Sequence, residues 1–130
     1  MNLSKKIILI SKILPLEKIF KKHLDNVSKM ILKTNIMNRP LIIDKKYKIV
    51  LDGSHRYAFL YNHGYKLAPV IEVDYENESI FVGNHLHHRF LYDEDKKITK
   101  KEVINRALKN KLYNPRTTRH FFPFRKVDLP

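Results

Sequence analysis

The chain has 130 residues, enough for one hydrophobic core. It carries 26 Lys and Arg against 13 Asp and Glu, a formal net charge of +13, and has no cysteine or tryptophan. The missing cysteines exclude disulfides, thiolate metal sites and a cysteine nucleophile. The charge implies an anionic partner or substrate, whether nucleic acid, nucleotide or phosphorylated metabolite. No apolar run approaches the ~18 residues of a membrane span. The apolar part of the opening segment, residues 7–10 behind Lys5-Lys6, is too short for a signal peptide. A cytoplasmic protein without a membrane partner is the expectation. The Lys-, Ile- and Tyr-rich composition also fits a thermophile with an AT-rich genome, which would account for part of the lysine excess.

Residues 3–10 read as a first strand. In Leu14-Pro15-Leu16-Glu17, Pro15 suits a loop or a first helical turn. Apolar residues then recur at helical spacing at Leu16, Ile19, Phe20, Leu24 and Val27, and Met30 and Ile31 extend the pattern, in the same helix or a second short one. Glu17 falls in the opening turn, where the helix dipole favours a carboxylate, so a plain helix-start role competes with any chemical one. Residues 35–40 form a loop. Leu41-Ile42-Ile43 and residues 48–51 flank the turn Asp44-Lys45-Lys46-Tyr47 and read as a hairpin. A second helix follows, with Tyr57, Leu60 and Tyr61 on its apolar face and Gly64 as its C′ residue. Residues 65–75 read as a strand with Pro69 at an edge or near its start, and residues 79–82 as another. Residues 83–95 are irregular, a lid or the floor of a site. Thr99-Lys100-Lys101-Glu102 is a capping box opening a helix that buries Val103, Ala107 and Leu108. Nothing repeats internally. The sum is a single α+β domain over residues 1–130, a small mixed β-sheet flanked by helices.

Two places carry chemistry. The first is Asp52-Gly53-Ser54-His55-Arg56, a tight turn from a buried strand into a helix. Gly53 supplies backbone freedom and a close approach, Ser54 is a candidate N-cap, and His55 and Arg56 add donors and charge to a helix N-terminus. Such a terminus is a ready anion site, although Asp-Gly is also an ordinary turn pair. The second is Arg116-Thr117-Thr118-Arg119-His120 between Pro115 and Pro123. If extended, residues 116, 118 and 120 share one face and join a guanidinium, a hydroxyl and an imidazole, a set suited to a carboxylate or phosphate. A solvated basic tail held by Phe121, Phe122 and Phe124 is the competing reading. His85-Leu86-His87-His88 offers imidazoles without a carboxylate at ligand spacing, so a loop or substrate contact outweighs a metal site. The lysine pairs are scattered, which weakens a single-strand nucleic-acid reading.

Asp52-Gly53-Ser54-His55-Arg56 taken with Arg116-Thr117-Thr118-Arg119-His120-Phe121-Phe122-Pro123-Phe124 resembles the archaeal free L-serine kinases of the ParB/sulfiredoxin-like superfamily. The likeness extends over most of the chain: Leu14-Pro15-Leu16-Glu17, the hairpin, Asp52 to Arg56, Ala68-Pro69 through Asp74-Tyr75, and Lys101-Glu102-Val103 to Phe124. It implies a ParB/sulfiredoxin-like kinase domain whose C-terminal segment, about residues 112–124, binds substrate. It also implies transfer of the terminal phosphoryl group of ATP or ADP to L-serine, giving O-phospho-L-serine for cysteine synthesis. By position, Glu17 matches the catalytic glutamate, with Asp52 a second catalytic carboxylate and a candidate Mg²⁺ ligand. Gly53, His55 and Arg56 match the nucleotide contacts, with Ser54 a nucleotide-binding candidate among them through its hydroxyl; Arg116, Thr118 and His120 match the serine contacts. The family has histidine where Ser54 stands and a substrate-contacting tryptophan nearest to His85. The chain is also shorter than the better-known members, lacking an insertion before the last helix. The alternative within the superfamily is a ParB-like nucleotide-dependent DNA-binding module, which normally needs a helix-turn-helix domain downstream. The lack of cysteine excludes a sulfiredoxin-like reductase, and no acidic metal cluster supports a nuclease.

Overall fold

The computed structural model describes residues 3, 5–34, 39–84, 98–115 and 117–125. Its centre is a sheet built from the short β-branched runs of the sequence. Strands β1 (Lys5–Leu9), β2 (Leu41–Asp44), β3 (Val50–Asp52) and β4 (Leu67–Val73) lie in the order β1-β4-β2-β3. β4 is antiparallel to β1 and parallel to β2, and β2 is hairpinned to β3 as expected. β2 is buried along its whole length, which is why it reads as an unbroken apolar run up to its last residue. That residue, Asp44, is itself buried and closes the turn by accepting from the Tyr47 and Ile49 amides at 2.9 and 2.5 Å. Pro69 lies near the start of β4, one of the two places expected, in a strand that is interior and not an edge. It faces Ile7 one residue before the pairing with β2 begins at Val70, so its missing N–H removes little from the ladder.

Alternation along the strands feeds two cores. On one face Leu41, Ile43, Val50, Ala68 and Val70 pack with Phe59 and Leu60 of helix α2 (Ser54–Asn62). Leu24 and Ile31 of helix α1 (Lys21–Thr34) cover the same face. On the other, Ile42, Leu51, Ile71 and Val73 pack with Leu16, Tyr75, Ile80 and Tyr113, and with Val103 and Ala107 of helix α3 (Lys100–Leu108). Complete burial of a side chain such as Phe59 or Ile71 stabilises by about 1.5–3 kcal/mol. A second, two-stranded antiparallel sheet of β5 (Phe81–Asn84) and β6 (Thr118–Phe121) meets this core through Val82, with Phe122 just beyond β6.

Several details differ from the sequence reading. The helix expected from Leu16 starts at Lys21, because residues 14–17 are extended and paired to other backbone. Leu16 is buried in the core opposite α1, so it never belonged to that helix's apolar stripe. In α2 the deeply buried aromatic is Phe59, while Tyr61 is exposed. Leu108 is exposed, and Ile104 packs in its place. The expected punctuation holds: Gly64 takes a left-handed φ of 75° after α2, and Thr99 Oγ1 accepts from the Glu102 amide at 3.1 Å. Of the segment expected to be irregular, residues 83 and 84 belong instead to β5, which runs two residues further on than the strand expected at 79–82, and residues 85–95 lie outside the described residues. Among the described residues no helix is long and apolar enough to cross a membrane.

Candidate active site

Glu17 owes its position to backbone pairing on both sides. Leu14 donates to the Lys48 carbonyl and accepts from the Val50 amide, both at 2.9 Å, which lays the segment along the open edge of β3. Two residues later the Leu16 carbonyl accepts from the Tyr113 amide at 2.9 Å, and Lys18 donates to the Tyr113 carbonyl at 2.8 Å. Glu17 is therefore an extended residue between two fixed neighbours and not a helix-start residue. Its Oε2 accepts two hydrogen bonds from Thr118 of β6, from the amide at 2.7 Å and from Oγ1 at 2.5 Å. These partners are 101 positions apart in sequence.

The turn after β3 has the form the sequence suggested, with different residues in the key places. Gly53, not Ser54, is the N-cap of α2, with φ 105° and no side-chain cap. A Cβ there would lie 2.8 Å from Leu41 Cδ2 and 3.0 Å from Arg56 Nη2, so glycine is required by space as well as by φ. Ser54 is the first helical residue. The first amides of a helix have no intrahelical partner, and the N-cap glycine has no side chain with which to cap them. Arg56 is folded under the turn. Its Nη1 donates to the Arg39 and Pro40 carbonyls at 2.9 and 3.3 Å, and its Nη2 donates to Asp52 Oδ2 at 3.0 Å. Burial lowers its pKa and the neighbouring Asp52 opposes that shift; a guanidinium stays charged regardless. His55 reaches back to the segment that bears Glu17: its Nε2 accepts from the Phe20 amide at 3.1 Å, and its ring meets His23 edge-on at 4.4 Å.

The C-terminal segment is a strand, as its alternation required. Thr118 and His120 lie on one face of β6, paired opposite Asn84 and Val82, while Arg119 stacks over the exposed Phe121 ring on the other. His120 is buried, and its Nε2 shares a 2.8 Å hydrogen bond with the Tyr75 hydroxyl. Burial pushes its pKa down from 6.5 to about 4, against the opposing pull of nearby Asp52 and of the Leu51 backbone; Lys100 lowers it further. His120 is thus a neutral ring near pH 7, resting against the end of β3 where the Gly53 turn begins. Its Nδ1 has no hydrogen-bond partner of good geometry. Burial, with Asp44 adding to it, pushes the Tyr75 hydroxyl well above its ordinary range, so it keeps its proton.

The fold thus brings together Glu17 with Thr118, and His120 with the Asp52–Gly53 turn, while His55 ties that turn to residue 20. Arg116 and His85 lie outside the described residues, as does the rest of the histidine run. Tyr75 and Tyr113 are the positioning groups that the sequence reading missed. Their roles depend on partners 45 and about 100 residues away, and no local pattern signals them. Among the described residues no group of three or more His, Asp or Glu is placed to hold a metal ion.

No family model matches the chain. An ATP-dependent L-serine kinase from Staphylothermus marinus is 33% identical over 76 residues, a stretch that makes up 55% of this chain and 30% of that protein. The matched region therefore spans less than a third of that relative. Among solved structures, a free serine kinase in complex with AMP superimposes with a TM-score of 0.79 at 17% identity, covering 95% of this chain and 90% of that one. C-terminally truncated SbnI from Staphylococcus aureus gives a TM-score of 0.76 at 14% identity, covering 97% and 87%. The chain thus has the fold of a free serine kinase, and over 76 residues its sequence is similar to that of an ATP-dependent L-serine kinase.

Proposed function

We propose that this chain is a free L-serine kinase, transferring the terminal phosphoryl group of ATP or ADP to the serine hydroxyl and releasing O-phospho-L-serine, a precursor for cysteine synthesis. The observation that carries the reading is the double engagement of β6. Thr118 holds the Glu17 carboxylate, and two residues on His120 leans on the β3 end that leads into the Gly53 turn. One short strand thereby joins a base, an anion-binding helix start and an amino-acid-binding segment.

The chemistry follows from that arrangement. A serine hydroxyl is a poor nucleophile near neutral pH, so Glu17 accepts its proton as the oxygen attacks the terminal phosphorus. The bond from that phosphorus to the bridging oxygen breaks, and the shortened nucleotide leaves with the charge. Phosphoryl transfer otherwise needs positioning and charge neutralisation. The first turn of α2 supplies oriented amides, and Arg56 supplies positive charge from beneath the turn. His120 offers the serine side a neutral imidazole, and Arg116 is its natural carboxylate partner. Mg²⁺ is commonly held by one or two carboxylates together with substrate phosphates. Asp52, partly exposed and already oriented by Arg56, fits the single-carboxylate form and would hold such an ion, which would supply neutralisation of phosphate charge.

The test is direct. Purified protein is incubated with L-serine, Mg²⁺ and either ATP or ADP, and O-phosphoserine is sought by mass spectrometry. Product with one nucleotide also identifies the donor; no product with either removes the kinase reading.

A further inference from the structure

We infer that the Tyr75 hydroxyl locks His120 in the tautomer that carries its proton on Nδ1, and that this N–H is a donor for an anionic oxygen of the amino-acid substrate. The tautomer follows from hydrogen-bond geometry alone, and the substrate role rests on the kinase reading above. Both residues are buried, and the Tyr75 hydroxyl lies 2.8 Å from His120 Nε2. Two arrangements satisfy that distance. In one, the hydroxyl donates to a bare Nε2 and the single proton of the neutral ring sits on Nδ1. In the other, Nε2–H donates to the phenol oxygen, and the phenol proton is buried with no acceptor among the described residues. An unpaired buried hydroxyl is costly, so the first arrangement wins. It also turns Nδ1–H, and not a bare lone pair, towards the Leu51 backbone close by.

Each ring is itself held. Tyr75 packs in the core beside Ile80, and Lys100 Nζ sits 5.3 Å from its ring centroid while donating to the Asn77 carbonyl at 2.9 Å. His120 lies with its ring centroid 5.4 Å from that of Tyr75 and stacks on Phe122 at 6.3 Å. Which nitrogen of a histidine carries the proton is set by the bond the other makes. Tyr75 is therefore a positioning residue that acts through His120. Nδ1 is left buried without a partner of good geometry, next to the end of β3 that leads into the Gly53 turn. A neutral N–H there takes a carboxylate or phosphoryl oxygen. A bare Nδ1 would take the serine ammonium instead. Tyr75 thus decides which group of the substrate the imidazole reads.

The tautomer can be read in the wild-type protein by long-range proton–nitrogen NMR, with or without turnover. The expected His120 spectrum shows a protonated Nδ1 and a bare Nε2; the reverse overturns the inference. L-serine and O-phospho-L-serine, titrated separately, should move the Nδ1–H signal. A response to L-serine identifies the carboxylate as its partner, and a response to phosphoserine alone identifies the phosphoryl group. A signal indifferent to both overturns the substrate role. Tyr75→Phe removes only the hydroxyl and frees the proton to exchange between the two nitrogens. With the competent tautomer only partly populated, the serine KM should rise about fivefold, with kcat and nucleotide affinity within about twofold of wild type. A fall in kcat at unchanged serine KM would count against the inference. If that variant disturbs folding by circular dichroism, the wild-type spectra decide alone. A wild-type protein that makes no phosphoserine overturns the kinase reading, while the tautomer read in the same sample stands or falls by itself.

Discussion

At Glu17 a carboxylate that local pattern would assign to a helix start is instead held by a threonine from the far end of the chain. Periodicity could not foresee this, because the choice was made by backbone pairing to residues 48, 50 and 113. If Glu17 is the group that takes the serine proton, Glu17→Gln lowers turnover by about 10² or more while nucleotide affinity, measured by calorimetry, stays nearly unchanged. Near-normal turnover would move the base elsewhere. His120 makes a different prediction. Its pKa of about 4 in the folded protein lies below the ordinary 6.5, so the unfolded chain binds a proton that the folded one refuses. Its contribution to stability is complete above about pH 6.5, declines as the pH falls towards 4, and amounts to about 3 kcal/mol over that window. Urea denaturation between pH 4 and 7 should show a steeper acid loss in wild type than in His120→Gln. Parallel curves would mean that the imidazole is not kept neutral.

Among the elements, the β3–α2 turn was the most legible. A buried β-branched run, Asp-Gly, then apolar residues at helical spacing is a pattern with one simple solution, and the chain adopts it. What the pattern could not tell is which residue caps the helix and what the arginine does. Gly53 takes the capping position because only glycine tolerates both its φ and the closeness of Leu41 and Arg56. Arg56, expected to point at phosphates, spends its bonds on Asp52 and two carbonyls and so builds the turn. Gly53→Ala should cost about 1–3 kcal/mol in urea denaturation and weaken nucleotide binding in parallel. Full stability in that variant would show that the turn relaxes easily and is no rigid cradle. The helix before it was the least legible. Leu16 and Leu24 share helical spacing in sequence yet lie on opposite faces of the sheet.

For the molecule as a whole, the excess of 26 basic over 13 acidic residues is a statement about fields, not about fold. It should draw the protein to any polyanion at low salt. The expectation for a nucleotide enzyme is that duplex DNA held at low ionic strength is released at moderate salt, whereas retention there would favour the ParB-like alternative. The sequence by itself determined the elements with strong local reasons: the β2–β3 hairpin, the glycine turn into α2, the capped start of α3, and an alternating tail with Thr118 and His120 on one face. It did so because turns, caps and period-2 alternation are settled within a few neighbouring residues. Only the tertiary structure decided that residues 14–17 are extended, that Thr118 grips Glu17, and that Tyr75 holds a neutral His120 beside Asp52. Those contacts join positions dozens of residues apart, and their free energy exists only once the sheet has placed both partners in the same small volume.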